Sequence, residues 1–376
     1  MARMEFPKIN SYPHTCFIFT QACCIFEAMK VTTRFWAKSS LILTLLVILA
    51  GSVVRVTQSG MGCPDWPKCF GYYIPPTQNE QVMFLRQTVY KKGMMVIHND
   101  TLWRATDTFK SGVVFDRNNW EKYPKHDYSK FVVYQTWVEY INRLLGALLG
   151  IFILALCISA FRQYSADKAT AFWSALVLLL TLFQAWLGKL VVDGNLIPQS
   201  ISIHMIAAFA ILWLLTLIYS RCINRERSAN QINIRINRLA LLTAILVLIQ
   251  TLIGTQVREQ VDEIAVAFNH ESRELWVNEI SSVLTLHKAF SLLVVLLSAL
   301  MLFELRISKL PSVRFFNRAV LSVLVFECLA GIIMVQMSIP AIAQSAHLLG
   351  ASVLFYLCSR LYFYRFGELN SSNETI

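Results

Sequence analysis

VEYINRLLGALLGIFILAL, residues 138–156, and TLHKAFSLLVVLLSALMLF, residues 285–303, decide the fold of this 376-residue chain. Each is close to the roughly 20 apolar residues needed to cross a bilayer. Each carries, near its start, a polar residue followed by a base: Asn142-Arg143 in the first and His287-Lys288 in the second. The likeness continues on both sides. Gly188 and His204 are sixteen residues apart, as are Gly331 and His347, and GSVVR at 51–55 answers GTQVR at 254–258. The chain reads as one membrane unit written twice.

Composition agrees. Hydrophobic residues make up 56% of the chain and charged residues 15%, a balance that ordinary soluble domains do not show. Eight runs are long enough to span, near 36–57, 131–161, 169–192, 201–222, 237–257, 281–304, 316–337 and 341–363. Lipid offers the backbone no hydrogen-bond partner, so these must be helices. The net charge of +11 is a topology signal rather than a nucleic-acid footprint. Arg162 and Lys168, then Arg221, Arg225, Arg227, Arg235 and Arg238, then Arg306, Lys309, Arg314 and Arg318 fall in alternate connections. The positive-inside rule therefore puts both termini in the cytoplasm. Each half has an even number of spans, so the expected fold is all-α: eight transmembrane helices as two parallel four-helix bundle repeats. The expected parts are a leader, 1–35, with translation starting at Met29; a first bundle, 36–222, carrying an outward insertion at 58–130; a cytoplasmic linker, 223–236; a second bundle, 237–363; and a cytoplasmic tail, 364–376.

Three of the seven histidines, His204, His287 and His347, fall near the outer ends of alternate helices, about 10 Å down at 1.5 Å per residue. Polar groups in a bilayer are costly and are usually functional. A lone histidine there is read as a helix-to-helix hydrogen bond, but a set repeated at one height points to haem held inside the bundle. Two imidazoles on opposite faces of a haem iron give a six-coordinate, electron-transferring centre. His287 and His347 are expected on adjoining helices, rings facing across a gap sized for one iron. Arg143 and Lys288 suit haem propionates, or are bases that snorkel to the interface. His14 falls in the leader; His98, His126 and His270 fall in polar loops and read as solvated.

The first outward loop holds Cys63 and Cys69, six apart with two prolines between. Disulfides persist on that side of a membrane, and the spacing is not that of a common zinc site. The pair reads as a bridge closing a rigid loop over the bundle mouth, with a redox-active dithiol as the alternative. Cys157, Cys222, Cys328 and Cys358 read as small apolar fillers. Arg55 to Asn142 is 87 residues against 29 from Arg258 to His287, so roughly 50 residues, about 78–130, are inserted in the first half. Within them, residues 94–105 alternate about Asn99-Asp100, a hairpin signal. The insertion reads as a tolerated loop, or as a docking or lid element.

The chain resembles the haem A synthase family, whose members oxidise the C8 methyl of haem O to a formyl group. The resemblance covers nearly all of 36–363. It rests on VVRVTQSGMGCPDWPKCFG (53–71), EYINRLLG (139–146), FQAWLGKLVV (183–192), the His204 helix, LTLHK (284–288) and QSAHLLG (344–350). It implies a haem b cofactor between His287 and His347, and haem O as substrate beside His204 and Glu139. It also implies a bacterial inner-membrane location, a haem O synthase as supplier, cytochrome oxidase assembly as destination, and an undefined electron donor. Lipid surrounds such a protein, nucleic acid plays no part, and a homo-oligomer is compatible with it. One departure stands out. Where the family commonly has Glu-x-x-His, this chain has Glu139-Tyr-Ile-Asn142. Glu139 and Asn142 still share a helix face, but Asn is a poor iron ligand, so the substrate iron keeps His204 and an open position. Activity is expected to survive, because methyl oxidation needs an accessible iron face; the opposing reading is a degenerate copy. A di-haem b electron carrier would need the missing histidine, and a transporter would show broken helices and inverted symmetry.

Overall fold

The computed structural model describes residues 15–123, 130–193, 198–224, 234–269, 271–307 and 311–364. Eight helices among them are long and apolar enough to cross a membrane, and the protein is a multi-pass membrane protein. They are α1 (Thr15–Val56), α2 (Val133–Phe161), α3 (Lys168–Asp193), α4 (Pro198–Asn224), α5 (Ile234–Ala267), α7 (Ser282–Ile307), α8 (Pro311–Gln336) and α9 (Ala341–Phe363). A one-turn helix, α6 (Trp276–Glu279), precedes α7. Only the Val31–Val56 part of α1 is a membrane-length apolar run, so the boundary expected at residue 35 falls inside a continuous helix.

Packing groups the spans in fours. α1 lies against α2 and α4, and α3 closes the ring against the same two; α5 lies against α7 and α9, and α8 closes the second ring. Both rings meet through α4 and α9, with α1 also touching α9 and α4 touching α5. The seam is dense. Phe209, Leu212, Leu215 and Ile218 of α4 and Leu361 of α9 are fully buried, and the Phe209 and Phe355 rings meet edge-on at 4.9 Å. In lipid, packing and interhelical hydrogen bonds replace the hydrophobic force. The seam has both: Ser52 of α1 bonds Ser345 of α9 at 3.1 Å, and Ser202 of α4 bonds Thr255 of α5 at 3.1 Å. These are corresponding positions, since Ser52 and Thr255 each lie three residues before an arginine, and Ser202 and Ser345 each two before a histidine.

The connection between α1 and α2 is the one β-containing part among the described residues. β1 (Val89–Tyr90) pairs with β4 (Phe109–Lys110), and β2 (Met95–His98), β3 (Thr101–Ala105) and β5 (Trp120–Lys122) form an antiparallel sheet in that order. Asn99 and Asp100 both have positive φ, 50° and 52°, the backbone that a two-residue hairpin turn of type I′ demands. The module has its own core of Tyr90, Val96, Ala105 and Trp120. It is not a slack loop, because it grips the cysteine loop: Met95 N–H donates to Phe70 O at 3.1 Å and the Tyr123 hydroxyl to Pro64 O at 2.8 Å. His98, expected to be solvated, is half-buried with its ring stacked on Phe115 at 4.3 Å. His14, His126 and His270 lie outside the described residues.

Candidate functional site

Histidines at the start of α7 and α9 meet inside the second ring. His287 and His347 have ring centroids 6.4 Å apart and planes at 74°. Their helices do not adjoin as expected. Both pack on α5 and α8, so they stand diagonally, which leaves the ring's interior between them. α5 supports His287: Gln250 Nε2 donates to the His287 backbone carbonyl at 3.0 Å and lies 3.3 Å from its Nε2. Gly254, one turn on, is where an added Cβ would come within 3.1 Å of the His287 ring. Opposite, His347 Nδ1 lies 3.1 Å from the Glu327 carboxylate of α8, without hydrogen-bond alignment.

The first ring holds one imidazole on the corresponding diagonal. His204 lies on α4, and its Nδ1 is buried without a partner, as is the Oδ1 of Asn142 on α2. Gln184 of α3 donates to the His204 carbonyl at 2.9 Å. Above them, Glu139 is 4% exposed. Its carboxylate accepts from the Cys63 N–H at 2.7 Å and pairs with Arg143 one turn on. Arg143 is neither free to meet a propionate nor exposed: it donates to the carbonyls of Asp65 at 2.8 Å, Lys68 at 3.1 Å and Cys63 at 3.2 Å. Lys288, its counterpart, is exposed on α7.

Those carbonyls belong to the loop closed by Cys63 and Cys69, which are bridged with Cα atoms 4.7 Å apart, inside the usual range. The loop lies flat on the start of α2 because Gly62 has no side chain; a Cβ there would stand 2.5 Å from Gln135 O. The Thr136 hydroxyl donates to Gly62 O at 2.8 Å. Burial pushes the Asp65 carboxyl above its usual range, although the Gly71 N–H and the Arg143 charge oppose this.

Two facing imidazoles fit haem better than a bare ion. Among the described residues no three His, Cys, Asp or Glu converge as a metal site, whereas a porphyrin supplies four of its iron's ligands itself. Imidazoles bound about 2 Å from one metal on opposite sides put their ring centroids about 6 Å apart, which the observed separation matches. A Cβ at Gly188 or Gly331, one turn past Gln184 and Glu327, would meet no neighbouring element within 4 Å, so neither position is packed shut.

Residues 34–103 and 115–359 match the cytochrome oxidase assembly family COX15-CtaA. The chain belongs to this family. The family match omits only 104–114 within the β module, and it includes the cysteine loop and all four site helices. Among relatives, a heme A synthase of Shewanella oneidensis is 23% identical over 89% of this chain and 97% of its own length. One of Ehrlichia canis is 22% identical over 88% and 92%, and one of Bartonella quintana 28% identical over 60% and 57%.

Sequence reasoning missed Gln184, Gln250 and Glu327. A signal for two of them existed. The 143-residue offset that takes Gly188 to Gly331 and His204 to His347 also takes Gln184 to Glu327, placing a polar side chain in the third span of each half.

Proposed function

We propose that this chain is a haem A synthase, oxidising the C8 methyl of haem O to a formyl group. The observation that carries the reading is the contrast between the rings: two facing imidazoles in one, a single imidazole with asparagine on the opposing helix in the other. A carrier with two equivalent haems would not need that asymmetry, and the relatives' shared name favours the enzyme. The two rings are read as parallel copies of one unit, supported by their common order of helix neighbours and by the matching Ser52–Ser345 and Ser202–Thr255 bonds.

His287 and His347 would hold haem b, with Gln250 and Gly254 fixing the angle of the His287 ring. A haem bound there supplies single-electron transfer. His204 would bind the substrate iron from one side. Asn142, on the opposing helix, leaves the other face open, since an amide oxygen is a weak iron ligand. The methyl carbon would pass through the alcohol and the geminal diol, each step taking one oxygen atom from water or dioxygen and giving up two electrons to an external oxidant, and the diol would lose water to leave the formyl group. Glu139 is the orienting acceptor of the site: with Arg143 it fixes the Cys63–Cys69 loop as a lid on the first ring. The basic connections support both termini on the cytoplasmic side, with the disulfide outside, in what is read as a bacterial inner membrane. An enzyme making haem O would supply the substrate, and a terminal oxidase would receive the product.

Pigment extraction tests this. Expression beside a haem O synthase, in cells lacking their own activity, should yield haem A, and haem O alone would overturn the reading. Replacing His287 or His347 by Ala should abolish the reduced bis-imidazole absorption of the purified protein; retention in both variants would place the ligands elsewhere.

A further inference from the structure

Glu327 is a carboxylate in the middle of an apolar span, and the mechanism above does not use it. From α8 its side chain meets α9 at two points. One oxygen lies 3.1 Å from His347 Nδ1. The other, Oε1, seats over Gly350, where an added Cβ would stand only 2.1 Å from it. Gly350 lies one turn past His347 on the same face of α9, so a missing side chain makes the notch that receives the carboxylate. The Glu327 side chain is 12% exposed, and Oε1 has no hydrogen-bond partner among the described residues. A carboxylate inside a membrane is costly unless paired or used, and the neighbour in reach is an imidazole.

The other half is built differently at the same place. The offset that carries His204 to His347 carries Gln184 to Glu327 and Ala207 to Gly350. Ala207 is buried, so the notch is filled. Gln184 bonds the His204 backbone rather than its ring, and His204 Nδ1 is left without a partner. Carboxylate and notch occur together only in the half with two facing imidazoles.

We propose that Glu327 is a positioning residue that accepts the Nδ1–H of His347, turns its Nε2 toward the iron and lowers that iron's reduction potential. This rests on the assignment of His287 and His347 as haem ligands. An imidazole bound through Nε2 carries its proton on Nδ1, and a carboxylate accepting that proton's hydrogen bond fixes the ring and makes it more basic. A more basic axial ligand favours ferric over ferrous iron. A small rotation of the His347 ring aligns the N–H with an oxygen already in reach.

The test is a redox titration of full-length, haem-loaded protein, read at the bis-imidazole band, for wild type, Glu327→Gln and Gly350→Ala. At a fixed solution potential the ferrous-to-ferric ratio should rise about tenfold in Glu327→Gln, about 59 mV for one electron, with haem content unchanged. Gly350→Ala keeps the charge but fills the notch and pushes the carboxylate from His347, so its ratio should rise too. Wild-type titrations in both variants overturn the proposal. If Glu327→Gln no longer holds haem, Gly350→Ala alone decides. His347→Ala separates the two levels: a retained bis-imidazole spectrum sinks the ligand assignment, whereas its loss alongside wild-type potentials in the other two sinks only the role of Glu327.

Discussion

In the function proposed above, Asn142 is the residue on which the chemistry turns. An imidazole at this position would occupy the iron face that an oxygen species has to reach. Asn142→His should therefore convert the substrate haem to six-coordinate, low-spin iron, visible in its absorption and paramagnetic resonance, with no gain in haem A output. If it instead rescues an otherwise inactive protein, the natural chain is a degenerate copy. At this scale much of the candidate site was legible. His204, His287 and His347 repeat at one depth, and Glu139 and Arg143 stand in a recognisable spelling. The partners of Arg143 were not, because it binds the carbonyls of Cys63, Asp65 and Lys68, and backbone acceptors leave no trace in residue type. Glu327 was overlooked for another reason: a single acid in an apolar run has no periodicity, and only comparison with Gln184 picks it out.

Elements were legible where one period or one turn dominates. The eight spans announce themselves by apolar length, and the β2–β3 hairpin by Asn99-Asp100. The pairing of β1 with β4 and of β3 with β5 did not, because strands of two to five residues with distant partners carry too little pattern. The cysteine loop yields a prediction of its own. In the untreated protein Cys63 and Cys69 should resist thiol labelling, and replacing both by Ser should cost about 2 kcal/mol, the chain-entropy value for so small a loop, read as a lowered unfolding midpoint in detergent. Freely reactive thiols at both positions would contradict the bridge. A second concerns the start of α3, where Asp167 accepts from the Thr170 N–H at 3.0 Å and pairs with Arg221 of α4 at 3.0 Å. Burial pushes its carboxyl up, but the Thr170 and Arg221 contacts outweigh this and hold it below the usual range. A depressed carboxyl stabilises the fold above its unfolded value, about 3.9, and that contribution fades as pH falls through the folded value. Asp167→Asn keeps a capping side chain but loses the charge pair with Arg221, so it should be less stable than wild type at neutral pH by about 0.5 kcal/mol, and the two should converge as pH falls from about 4 through the folded value. A difference that persists unchanged there would refute it.

At the scale of the whole molecule, the order of neighbours within each ring follows largely from short connections between successive spans, the long β-containing connection between α1 and α2 apart, but the seam does not. How α1 meets α9 and α4 meets α5 depends on small side chains, Ser52 with Ser345 and Ser202 with Thr255, which read as ordinary helix residues one at a time. A charged contact also crosses the seam: Asp262 of α5 pairs with Arg55 of α1 at 3.0 Å and with Arg258 of its own helix. Asp262→Asn should weaken the union of the halves by about 1 kcal/mol, the upper range for partly exposed pairs, with the loss shrinking at high salt; an unchanged midpoint at low salt would show that the contact is idle. The Glu139–Arg143 pair bears, finally, on how the chain enters the bilayer. Both charges sit on one span a single turn apart, so they neutralise each other as soon as α2 becomes helical, before any other helix arrives. Separately each would oppose partition from the translocation channel by up to about 2.5–3.5 kcal/mol. Glu139→Ala should therefore reduce the fraction of the second segment that integrates, and Glu139→Ala with Arg143→Ala should restore it, whereas equal integration of the single and double variants would mean that the pair matters only after assembly.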